Sequence, residues 1–68
     1  MKVSETQQKV LESLLQPYKH GKHHPKDAFQ ERTIYALEKK GLVEIYHHST
    51  FLHGAVRLTE EGKKYIQL

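Results

Sequence analysis

Residues 33–65, TIYALEKKGLVEIYHHSTFLHGAVRLTEEGKKY, decide the fold. Ile34 and Leu37 lie three apart and share one face of a helix. Glu38, Lys39 and Lys40 follow, placing positive charge in the last turn, where the helix dipole favours it. Gly41 stands where a helix C-cap requires positive φ. The apolar period then drops from 3.6 to 2, and residues 42–46 and 55–59 are the two β-prone runs. Pairing Val43 with Leu58 sets Ile45 opposite Val56, and these four side chains share one face. The same register sets Glu44 opposite Arg57, Tyr46 opposite Ala55 and His48 opposite His53 on the other face. A slip of one residue would bury Glu44 and Arg57, so burial and cross-strand pairing select one register. The hairpin tip is then about residues 48–53, with Gly54 as an alternative site for a bulge.

Thr59 is placed to cap a last helix whose first turn holds Glu60 and Glu61. Tyr65, Ile66 and Leu68 would pack it back on the body. On the N-terminal side, residues 4–16 read as a first helix. Ser4 and Gln7 make a capping-box pattern, and Val10, Leu11, Leu14 and Leu15 form an apolar stripe. Pro17 stops that helix. The expected core is Leu14, Leu15, Ile34, Leu37, Leu42, Leu58 and Ile66, with Phe29 beside it.

Two motifs in this order, ALEKKGLVEI and RLTEEGKKYI, resemble the reading helix, wing and following helix of winged helix-turn-helix proteins, above all the MarR-type and PadR-type bacterial regulators. The resemblance covers about half the chain. It implies a single α+β domain over 1–68, with a helix-turn-helix core, a two-stranded wing and a C-terminal helix. It further implies a DNA-binding regulator of transcription that works in the cytoplasm of a bacterium or phage host, with helix 30–40 and wing 42–59 against duplex DNA. A single helix from Pro25 to Lys40 would set Phe29 about 140° from Ile34, so a break is expected near residues 29–31. Only residues 17–29 remain for the loop and the helix before the reading helix. That helix must be short, over residues 25–29, or absent. Residues 18–20 are a candidate third strand.

With Ile34 and Leu37 inward, Arg32, Thr33, Tyr35, Ala36, Lys39 and Lys40 lie on or beside the outward faces. Arg32 and Thr33, near the helix start, are the residues for base edges, and Lys39 and Lys40 for phosphate. The wing tip offers His47, His48, Ser49, Thr50 and His53. Residues 18–26, YKHGKHHPK, read as a loop with three lysines and three histidines, whose Lys22 and Lys26 can touch phosphates. The plainer alternative for each group is a solvated surface, with Arg32 paired to a neighbouring Glu.

Net charge is +3 with neutral histidines, and all six histidines can add to it on protonation. That balance suits a polyanion. A chain of 68 residues makes one small domain, which buries about 60% of its unfolded surface. No cysteine is present, so disulfides and thiolate metal sites are excluded, and a reducing compartment fits. The first ten residues hold no long apolar run, which argues against a signal peptide or membrane span. Ser49 and Thr50 stand beside His47 and His48 without an acidic partner or oxyanion turn, so no enzyme is expected. The HxxHH run from His20 to His24 is not a recognised zinc spacing. No metal or cofactor is expected. The alternative function is a winged-helix adaptor that binds another protein through Tyr35, Tyr46, Phe51 and Leu52. Weak self-association through the first and last helices is a further possibility.

Overall fold

The computed structural model describes residues 2–16 and 23–67. Within them the order is helix α1 (Glu5–Leu15), strand β1 (His24–Pro25), a single 3-10 turn (Lys26–Ala28), helix α2 (Glu31–Lys39), strands β2 (Val43–His48) and β3 (Phe51–Leu58), and helix α3 (Glu60–Gln67). The three strands form one antiparallel sheet in the order β1-β3-β2. The molecule is therefore a small α+β domain.

Each boundary has a local cause. The Ser4 hydroxyl accepts the Gln7 N–H and the Gln7 side chain accepts the Ser4 N–H, completing the capping box of α1. At the end of α2, Gly41 adopts φ +78°. Its N–H donates to the Glu38 carbonyl, and the Leu42 N–H donates to the Leu37 carbonyl. These two bonds make a Schellman motif, which satisfies the last carbonyls of the helix and turns the chain into β2. The break before α2 is real, since Phe29 and Gln30 both have extended backbone.

The hairpin register is the one that burial demands. Val43 pairs with Leu58, Glu44 with Arg57, Ile45 with Val56 and Tyr46 with Ala55. Above that point the register shifts, and His48 pairs with Phe51 rather than with His53. Gly54 supplies the bulge. It has φ +85°, and a Cβ there would stand 2.8 Å from the Tyr46 carbonyl oxygen. The tip is accordingly tighter than residues 48–53, with Ser49 and Thr50 making the turn.

The core holds Val10, Leu11, Leu14, Ile34, Leu37, Leu42, Val43, Val56 and Leu58, with Val3, Phe29, Ile45, Tyr65 and Ile66 packed around it. Leu15 is a correction, being 37% exposed. It is the last residue of α1 and lies about 100° round the helix from Leu14. The loop expected over residues 18–26 also needs correcting at its end. His24 and Pro25 form β1, opposite Val56 and Ala55. His24 Nε2 is hydrogen-bonded to the Gln16 carbonyl at 2.7 Å, tying this edge strand to the end of α1. The short helix expected over residues 25–29 is the 3-10 turn, with Pro25 as its N-cap. The strand expected over residues 18–20, Lys22, the stop at Pro17 and the packing of Leu68 lie outside the described residues.

Candidate functional site

Helix α2 presents one stripe to solvent. Arg32, Tyr35, Ala36 and Lys39 follow the spacing i, i+3, i+4, i+7, opposite the buried Thr33, Ile34 and Leu37. Arg32, Tyr35 and Lys39 are exposed and Ala36 is half-buried. Two of the expected outward residues turn elsewhere. Thr33 is buried, and its hydroxyl donates to the Gln30 side-chain carbonyl at 3.2 Å. It lies four residues before Leu37 and shares its face, so it is a core-side residue. Lys40 reaches back to α1, donating to the Lys2 carbonyl at 3.0 Å and to Gln7 Oε1 at 2.9 Å. It ties the end of α2 to the start of α1 instead of facing outward.

One flank of the stripe is acidic, with Glu31 and Glu38 seven residues apart. Lys26, from the 3-10 turn, meets this flank. Its ammonium donates to the Tyr35 hydroxyl at 2.9 Å and lies 4.7 Å from the centre of that ring. The hydrogen bond to Tyr35 holds the Lys26 ammonium above the ordinary lysine value of 10.5 against the opposing cost of desolvation, with the Tyr35, Glu31 and Glu38 charges adding to it. A shallow cavity of about 240 Å³ lies here, lined by Lys26, Asp27, Phe29, Glu31 and His53. His53 of β3 and Lys26 are thereby brought to the start of α2. His47, Ser49 and Thr50 are exposed at or beside the hairpin turn.

His48 belongs to a different surface. On the solvent face of the sheet its ring lies 4.5 Å from that of His23 and stacks on Phe51 at 4.8 Å. His23 Nδ1 is hydrogen-bonded to the Tyr46 hydroxyl. The Arg57 guanidinium lies over the Tyr46 ring at 4.8 Å and is ion-paired with Glu44. Sequence reasoning missed this row. His23 and Tyr46 are 23 residues apart, and no period links them; only the added edge strand β1 brings His23 over the hairpin.

Among the described residues no group of three or more His, Cys, Asp or Glu is arranged to hold a metal ion, and no helix is long and apolar enough to cross a membrane. Comparison with known proteins returned no matching family model, no matching curated protein and no matching solved structure.

Proposed function

We propose that the chain is a winged helix-turn-helix domain that binds duplex DNA and regulates transcription in the cytoplasm, without catalysing a reaction. The observation that carries this reading is the solvent-facing stripe Arg32, Tyr35, Ala36 and Lys39 on α2, a helix followed directly by a hairpin. The order of elements supports it: in this reading the 3-10 turn, the extended break at Phe29 and Gln30, and α2 are the helix-turn-helix, and β2–β3 are the wing. Arg32 is the residue for a base edge, and Lys39 and Lys26 are the residues for phosphate, with His47, Ser49, Thr50 and His53 along the backbone.

A second reading has its own observation. Leu52 is 93% exposed at the wing and Tyr35 is 45% exposed on α2. Apolar exposure of this kind suits a protein partner, and the acids Glu31 and Glu38 dilute the positive face of α2. Fluorescence anisotropy against a random-sequence duplex pool over a salt series separates the two. The DNA reading expects binding that weakens steeply as salt rises. Absence of binding at high micromolar folded protein in low salt rejects it and favours the adaptor.

A further inference from the structure

The hairpin joining β2 to β3 has a two-residue connection, Ser49–Thr50, between the paired residues His48 and Phe51. Such connections prefer turns with positive φ at one or both central residues, because those match the twist of the strands. No non-glycine residue among those described has positive φ, so Ser49 and Thr50 do not supply that geometry. A side chain assists instead. The Thr50 backbone N–H donates to His48 Nδ1 at 3.1 Å. Asn and Asp commonly brace turns by accepting the N–H two residues on, and His48 occupies that role with a ring nitrogen.

We propose that His48 is an acid-sensitive latch on this turn. A backbone N–H can only donate, so Nδ1 must offer its lone pair, and the ring is neutral with its proton on Nε2. The next proton can add only at Nδ1. It would set two donors against each other, break the brace and leave a positive charge at the tip.

The groups around His48 bear on this step. His23, on the segment leading into β1, lies ring to ring with it. Phe51 of β3 stacks on it and has no charge. On β2, His47 is its chain neighbour and the Tyr46 hydroxyl engages His23. Arg57 of β3 lies over Tyr46 and is paired with Glu44. His23 can take a proton without losing its partner, because a phenol oxygen accepts as well as donates. His48 cannot, since its partner is a main-chain N–H. Below the bulge at Gly54 the strands stay paired through Val43–Leu58 and Ile45–Val56, so the change is confined to the tip.

The test is NMR on the full chain from about pH 8 to about pH 5, the interval in which imidazoles change charge. In the native protein at the upper end, His48 should carry its proton on Nε2. The Thr50 amide shift should then follow the His48 titration, and its exchange protection, corrected for the intrinsic rate, should fall about fivefold, the loss expected for one ordinary hydrogen bond. In His48→Asn the Oδ1 replaces Nδ1 as acceptor, and the Thr50 amide should lose this response while keeping its protection. A proton found on Nδ1 at the upper end, or a Thr50 amide indifferent to the His48 titration, overturns the latch. So does an unchanged response in His48→Asn, or equal loss of protection at Ile45 and Val56, which would mean general unfolding.

Discussion

The Thr59 hydroxyl donates to the Gly41 carbonyl at 2.6 Å and accepts the Gly62 N–H at 3.0 Å. One side chain thus seals the end of α2 and caps the start of α3. The Thr59 N–H donates to the Leu42 carbonyl at 3.1 Å, and α3 lies so close that a Cβ on Gly62 would overlap that carbonyl oxygen. Thr59→Ala should cost about 0.5–2 kcal/mol as a lost cap, and Thr59→Ser should restore most of it. Gly62→Ala should cost about 1–3 kcal/mol by forcing α3 outward. Urea unfolding of the three variants checks both values, and a Gly62→Ala protein as stable as the parent would contradict the close approach.

Leu37 and Leu15 make a contrasting pair. Leu37 is fully buried beneath α2, and Leu15 is 37% exposed at the end of α1. Leu37→Ala should destabilise by roughly 2–5 kcal/mol, enough to unfold a domain near the lower end of the usual 5–15 kcal/mol range. Leu15→Ala should cost clearly less. Equal shifts in unfolding midpoint would place both residues in the core.

Lys26 should titrate above 10.5, held there first by its hydrogen bond to Tyr35. With the folded value above the unfolded one, the charged contact is fully present below the ordinary lysine value. It is lost as pH rises through the higher folded value. Tyr35→Phe should therefore lower the Lys26 midpoint in a heteronuclear NMR titration, and an unmoved midpoint would assign the shift to the carboxylates Glu31 and Glu38.

Under the DNA reading, three cations of α2 and its C-cap should behave differently. Arg32→Ala should cost about 1–3 kcal/mol and relax preference at one base position. Lys39→Ala should weaken all duplexes alike and lower the salt slope by about one. Lys40→Ala should alter stability more than binding, because its ammonium is engaged by Lys2 and Gln7. Anisotropy titrations with labelled duplexes, beside melting curves, distinguish the three.

The register of the hairpin from Val43 to Tyr46, the capping box and the cap at Gly41 were legible because each follows from local periodicity or backbone sterics, whereas the pairing of His48 was not, because the bulge at Gly54 shifts it from His53 to Phe51. The position of Thr33 was legible too, since its spacing from Leu37 puts both on one face; treating it as outward ignored that relation. The destination of Lys40 was not, because its partners, Gln7 on α1 and Lys2 just before it, are 33 and 38 residues away. The row His23, His48, Phe51 and Tyr46 was equally hidden, as it depends on β1, a two-residue strand with no alternation to read. The motifs ALEKKGLV and LTEEG, by contrast, meet at Gly41, Leu42, Thr59 and Gly62. They record how two helices and a hairpin are joined, which is a property of the scaffold and carries no instruction about the target.

The bulge has a consequence for how the hairpin can change. Leu52, His53 and Gly54 of β3 span the stretch that His47 alone spans on β2, so the mismatch in strand length is absorbed above the pair Tyr46–Ala55. Insertions, deletions or grafted loops beyond that pair would leave the core-facing residues in step. The hairpin tip is therefore an exchangeable cartridge on a constant base, and its length and chemistry can diverge while the rest of the domain is conserved.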